Sequence, residues 1–323
     1  MRKKHFLFAS VLALLCGSST LHAQDFKLTS SGYFKNQGVD VMAFDDIYPE
    51  GHQGGVCIIM NGHRVATNGD IRLEATPGQW QPVPKQLDRK LGDNSITATL
   101  CYPDSSRHLT GFNPMIYPDL HLIYTVNVES KGKNIEVTVD LDRPIPQEFI
   151  GKVGFNLEFF PGSLFGKPWI MDGQSGIFPQ QPNSPLMTTQ PNYLHTGNYH
   201  DGKKSLADMD KLIGKGYSPI VADDIISEPY AKGTKFTSRP DDPYNKVTIE
   251  SLSGDLQLFD GRMNHNNGWF VLRSNIKPGV TKGAVKWIIT PNVVADWMYQ
   301  PVIQTSQIGY HPTQDKEAVI EMD

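Results

Sequence analysis

Strict alternation of apolar and polar side chains is the feature that most limits what this chain can fold into. Leu120, Leu122, Tyr124, Val126 and Val128 alternate with His121, Thr125, Asn127 and Glu129. Past Ser130-Lys131-Gly132-Lys133, the residues Ile135, Val137, Val139 and Leu141 alternate with Glu136, Thr138, Asp140 and Asp142. A period of two belongs to a strand with one dry and one wet face, whereas a helix repeats every 3.6 residues. The two runs and their glycine turn therefore predict a β-hairpin. Ile96, Ala98, Leu100 and Tyr102 make a further half-buried strand, as do Val153, Phe155, Leu157 and Phe159. Val285, Trp287 and Ile289 form another before Pro291. Val247 and Ile249, then Leu256 and Leu258, flank Ser253-Gly254-Asp255, which reads as one more hairpin. Val56 to Met60 is apolar on both faces and so sits centrally between two layers.

Many one-faced strands must pair their dry faces, and sheet packed on sheet is the solution. The predicted fold class is all-β, a large two-sheet antiparallel β-sandwich, with the supersandwich as its larger form by fold analogy. The 29 glycines and 23 prolines agree with many short strands and turns. One segment, Lys204 to Ile213, places Leu206, Met209 and Ile213 near one face and predicts a short helix. Pro291 to Pro301 reads as a boundary, and its Trp297 and Tyr299 suit a packed joint rather than a floppy linker.

The N-terminus reads as an export signal, with Arg2-Lys3-Lys4 before an apolar run from Phe6 to Leu15 that is too short to span a bilayer. Leu21-His22-Ala23 before Gln24 is the expected cleavage site, which places the mature protein in the periplasm or outside the cell. Cys16 would be the lipidated residue of a lipoprotein, but Leu15 stands where a small residue is expected. The remaining cysteines, Cys57 and Cys101, are either a disulfide or two buried thiols. A bridge between them would contribute about 4 kcal/mol by the loop-entropy argument. A net charge of −4 offers nothing to a nucleic acid or an anionic membrane. No phosphate-binding glycine loop, dinucleotide fingerprint or Gly-x-Ser-x-Gly elbow occurs, and no cofactor is expected.

The stretch from Pro161 to about Lys204 reads as a long loop, and such loops tend to be functional. Sugars present apolar C–H faces and a rim of hydroxyls, which aromatic rings and amide or carboxylate groups complement. Trp169, Asp172, Gln174, Tyr193 and Tyr199 are the carbohydrate-binding candidates on that ground. The competing explanation is that the aromatic residues simply pin the loop to the sandwich. His195, His200 and Asp201 match no tight zinc spacing, and no metal is expected. Asp45-Asp46, Asp223-Asp224 and Asp241-Asp242 are sequential pairs, whose side chains leave a strand on opposite faces, unlike the facing carboxyls of a glycosidase. Arg239-Pro240-Asp241-Asp242-Pro243 reads as a turn. Glu158 between Leu157 and Phe159 is the carboxylate best placed for a shifted pKa if it is buried, although alternation allows it a solvent face.

The last residues carry a resemblance. Gln307-Ile308-Gly309-Tyr310-His311-Pro312, then Lys316-Glu317-Ala318-Val319-Ile320, resembles the opening of the immunoglobulin-like module that precedes the catalytic domain in bacterial family 9 glycoside hydrolases of the cellulase type. The preceding part more loosely resembles the extra N-terminal β-domain of some secreted members. With the export signal at 1–23 and the sandwich at 24–297, the resemblance implies a linker with the first strands of an immunoglobulin-like domain at 298–323. A domain of that kind runs to about 100 residues, so the chain is expected to stop early within it. The implied role is a non-catalytic accessory region in polysaccharide degradation. Its implied partners are a β-glucan-type polysaccharide and a C-terminal catalytic barrel of the same polypeptide. No catalytic residue of the family can be carried onto this sequence. A stand-alone carbohydrate-binding protein and an independent enzyme on the sandwich are the alternatives, and the enzyme requires ionisable groups converging in one place.

Overall fold

The computed structural model describes residues 25–45, 54–74, 76–77, 83–104, 106, 120–182, 227–263 and 268–322. The first sheet has nine strands among them. In spatial order they are β1 (Lys27–Leu28), β2 (Phe34–Asn36), β3 (Val39–Ala43), β4 (Val56–Met60), β5 (His63–Leu73), β10 (Val153–Phe159), β17 (Phe270–Asn275), β16 (Leu256–Asp260) and β13 (Ala231–Gly233). The second, also nine-stranded, runs β12 (Gln174–Ile177), β11 (Pro168–Met171), β14 (Lys235–Ser238), β15 (Val247–Ser251), β18 (Val285–Pro291), β9 (Asn134–Leu141), β8 (Ile123–Lys131), β7 (Ser95–Cys101) and β6 (Lys85–Leu91). Neighbouring strands are antiparallel throughout both sheets. The fold is thus the large two-sheet β-sandwich that the alternation predicts.

The inner faces meet as the pattern requires. Ile96, Ala98 and Leu100 of β7, Tyr124, Val126 and Val128 of β8, and Ile135, Val137 and Val139 of β9 are buried in one core with Phe155, Leu157 and Phe159 of β10. Trp287 of β18 ties the layers together. Its indole meets the Phe155 ring edge-on at 5.0 Å, and its Nε1 donates to Ser274 Oγ of β17 at 3.0 Å. Phe159 and Phe236 make a second edge-to-face contact at 5.8 Å between the sheets. Aromatic pairs in this geometry add roughly 0.5–1.5 kcal/mol to the gain from burial alone.

Three expectations change, and the alternative left open for the cysteines is decided. Val247–Ser251 and Leu256–Asp260 do not pair with each other: β15 lies in the second sheet and β16 in the first, so Leu252 to Asp255 arches across the sandwich. β10 is buried on both faces rather than half-buried. Part of the expected loop after Pro161 is instead an edge hairpin, β11–β12, with Trp169 and Met171 turned inward. Cys57 and Cys101 are thiols, with no disulfide between them. Cys57 follows the core residue Val56 on β4, and Cys101 follows the core residue Leu100 on β7, so alternation turns each away from the shared core. Sheets stacked about 10 Å apart then separate them well beyond bridging distance. The predicted helix at 204–213 lies outside the described residues.

The boundary segment is packed. Gln37 donates its side-chain amide to Trp297 O, and the Trp297 ring lies against Gly38, where a Cβ would come within 2.6 Å of it. Beyond the joint, β19 (Val302–Gln304) and β20 (Val319–Glu321) pair only with each other, in a separate two-stranded sheet. Ile303, Ile308, Val319, Ile320 and Met322 are all exposed there, Ile308 almost completely at 99%.

Candidate functional site

The carbohydrate-binding candidates take structural positions. Trp169 is only 6% exposed, and its indole covers its cross-strand partner Gly176, so the ring offers no open face to a sugar. Asp172 takes the turn of the edge hairpin with φ 49°. Its carboxylate accepts from Thr234 N at 2.8 Å and Lys235 N at 3.0 Å, which fastens the hairpin to the start of β14. Gln174 donates to Lys232 O at 2.9 Å. Tyr193, Tyr199, His195, His200 and Asp201 lie outside the described residues, as do Asp46, Asp223 and Asp224. Asp242 closes the predicted turn, its N donating to Arg239 O at 3.0 Å.

The structure gathers another group that includes Glu158. Strand β5 reads Asn68-Gly69-Asp70-Ile71-Arg72-Leu73, with Glu74 next, and every second residue is polar. Ile71 and Leu73 enter the core. Asn68, Asp70, Arg72 and Glu74 do not reach water in the usual way, because all four are buried. On β10, Asn156 and Glu158 alternate with core residues in the same manner, and Arg273 comes from β17 beyond it. The register aligns Asn156 with both Asp70 and Arg273, and Gly154 with Arg72. Gly154 is required: a Cβ there would stand 2.7 Å from Arg273 Nε.

Local bonds hold most of this group. Arg273 donates to Glu74 Oε1 at 3.1 Å, Asn156 Oδ1 at 3.2 Å, Glu74 O at 3.1 Å and Asn275 Oδ1 at 2.7 Å. Asn156 donates to Glu74 Oε1, and Asn68 to Glu158 Oε2, both at 2.6 Å. Among the described residues, β4 pairs with β5 no further than Gly69. Two tyrosines of the opposite layer finish the edge: Tyr102 Oη donates to Ile71 O and Tyr124 Oη to Asp70 Oδ1, each at 2.9 Å. Ile71 N also donates to Asp70 Oδ1, at 2.7 Å.

Burial governs the electrostatics. Loss of solvent pushes the Asp70 carboxyl up to about 6, against the pull of Arg72. It pushes Glu74 up to about 7, although Arg273 opposes it. Burial works against the charge of the Arg72 guanidinium, and Glu158, Asp70, Tyr102 and Glu74 together outweigh it. Burial and the Asp70 charge raise the Tyr124 hydroxyl well above its ordinary value. Two carboxyls that exchange protons near neutrality, beside a charged guanidinium, can donate or accept hydrogen bonds and protons. Perturbed groups of this kind concentrate at functional sites.

Sequence reasoning named Glu158 but missed Asn68, Asp70, Arg72, Glu74, Asn156 and Arg273. Their alternation has the same form as a wetted strand face. The available signal was position: β5 comes soon enough after the doubly apolar Val56–Met60 to share the middle of its sheet.

No family model and no curated protein matches this chain. Among solved structures the chain is similar to a protein of Synechocystis sp. PCC 6803, at 11% identity and TM-score 0.35, over 83% of this chain and 96% of that one. It is also similar to a galactose mutarotase related enzyme from Lactobacillus acidophilus, at 9% identity and TM-score 0.35, over 80% of this chain and 96% of the other. At TM-scores this low, neither likeness bears on activity.

Proposed function

We propose that this chain is a secreted, non-catalytic accessory region of a glycoside hydrolase that degrades β-glucan-type polysaccharides. The observation that supports it is the separate ribbon β19–β20. A two-stranded ribbon alone is marginal in water, and contiguous exposed apolar residues mark a surface that another element covers. Its residues are the ones that resemble the opening of the immunoglobulin-like module. The packed Trp297 joint suits a region that orients a neighbouring domain. Incubation of the purified chain with soluble β-glucans and assay of new reducing ends tests the reading. No release is expected, and steady hydrolysis by the chain unaided would overturn it.

A second reading, an independent carbohydrate-active enzyme on the sandwich, is favoured by the convergence of Asp70, Arg72, Glu74 and Glu158. It predicts that Glu74→Gln abolishes a turnover measurable in the parent chain.

A further inference from the structure

We infer that residues 292–299 form a rigid elbow. Turns at one end of the sandwich seat Trp297 and Tyr299, and the hydroxyl of Tyr299 carries that seating into the ribbon, so that β19 and β20 point in one fixed direction. The inference rests on the accessory reading for its purpose, since a region that orients a neighbour needs a joint that holds its angle. Its geometry belongs to this chain alone. The sequence of the joint departs from that of a flexible tether, which is rich in glycine and serine. Asn292 to Pro301 contains neither, and it carries Val293, Val294, Trp297, Met298 and Tyr299. Val293 packs against the sandwich core.

The seat draws on both sheets. The first sheet gives the turn between β2 and β3, with Gln37 and Gly38, and the turn between β4 and β5, with Asn61 and Gly62. The second gives the connection from β14 to β15, with Pro243 and Tyr244. Asn61 joins all three: its N donates to Gly38 O at 2.6 Å and its Nδ2 to Tyr244 O at 2.5 Å. Asn292 fixes the start of the elbow, its Nδ2 donating to Pro243 O at 2.7 Å and its N to Lys246 O at 2.9 Å. Gly38 has φ 64°, so glycine there serves both the turn and the Trp297 ring that lies on it. Tyr299 meets the Trp297 ring edge-on at 6.1 Å and passes Gly62, 3.5 Å from where a Cβ would stand.

The seating reaches the ribbon through a short path. Gln300 and Pro301 alone separate Tyr299 from β19. Pro301 fixes its own φ and holds Gln300 extended, which makes this link stiff. Tyr299 Oη donates to Glu321 Oε1 at 2.6 Å, and Gln304 Nε2 donates to Glu321 Oε2 at 2.8 Å. One carboxylate of β20 thereby holds the seated linker with one oxygen and β19 with the other. The direction of the ribbon is defined at two points, the covalent link at Pro301 and the Tyr299–Glu321 bond, whereas the link alone would leave it free to swing. A held direction does not require protected amides. The bonds that set it come from side chains, and the ribbon itself has only three cross-strand pairs.

Nitrogen-15 relaxation of the full chain, read as backbone order parameters, tests this. Rigid backbone gives about 0.85 and flexible backbone below about 0.6. In the parent chain residues 302–304 and 319–321 should match the strands of the sandwich. Tyr299→Phe keeps the ring on its seat and removes only the bond to Glu321. It should drop the ribbon amides into the flexible range and leave those of β8 and β9 unchanged. Gly38→Ala, whose Cβ displaces Trp297, should do the same, and Tyr299→Phe decides the matter if Gly38→Ala fails to fold. Flexible values for the ribbon in the parent chain would overturn the inference, as would rigid values in folded Tyr299→Phe. The accessory reading fails separately, by reducing-end release from the parent chain, which no motion of the ribbon alters.

Discussion

Arg72 and Arg273 stand on strands separated only by β10, and both are buried, yet Arg273 donates to Glu74, Asn156 and Asn275 while Arg72 Nε has no partner. Their substitutions should separate accordingly. Arg273→Met removes the charged partner of Glu74 and leaves its buried carboxyl with Asn156 alone, which costs about 3 to 5 kcal/mol. Arg72→Met breaks no described bond and should cost less; denaturant unfolding of both variants measures the difference. The carboxyls add a pH signature. Unfolded, Asp70 and Glu74 titrate near 3.8 and 4.5, and folded near 6 and 7. Between those values the folded chain holds more protons than the unfolded one, so stability falls as pH rises through this window. Each shift corresponds to on the order of 3 kcal/mol. Tm should therefore be higher at pH 5 than at pH 8, and Glu74→Gln should narrow the gap. A Tm that climbs steadily to pH 8 would show that the two carboxyls ionise as freely in the fold as outside it.

Elements with one wet face were legible before the structure. The hairpin of β8 and β9 turns at Gly132 as the alternation on either side requires, and β7 and β18 obey the same rule. The connection from β15 to β16 was not, because Ser253-Gly254-Asp255 signals a change of direction and says nothing of which sheet receives the next strand. The edge hairpin β11–β12 was hidden by Gly173 and Gly176, which read as loop composition. At Gly176 the small residue instead makes room for the Trp169 ring. Gly176→Ala would place a Cβ 2.4 Å from that ring and should lower stability by about 1 to 3 kcal/mol, measured by thermal melting. The polar group on β5 escaped notice because charge on alternate residues normally means water, and only the neighbouring strands reveal burial. The cysteines obey the same layering: with Cys57 and Cys101 turned away from the shared core, a reducing agent should leave Tm unchanged. A fall of several degrees would instead place a bridge between them.

At the scale of the whole molecule, two nine-stranded sheets share one core, while the ribbon of β19 and β20 shares no sheet with either. The sandwich encloses a buried polar group, and the ribbon leaves its apolar side chains exposed. Both proposals need the sandwich to be one cooperative unit that stands without the ribbon. Native-state amide hydrogen exchange, read by mass spectrometry, tests that division most directly. Residues 56–60, 67–74, 153–159 and 270–275 should exchange together and only on global unfolding, while 302–322 exchange close to the rate of an unprotected chain. Protection of 302–322 equal to that of the sheet strands would contradict the account, because the ribbon would then belong to the core from which it stands apart.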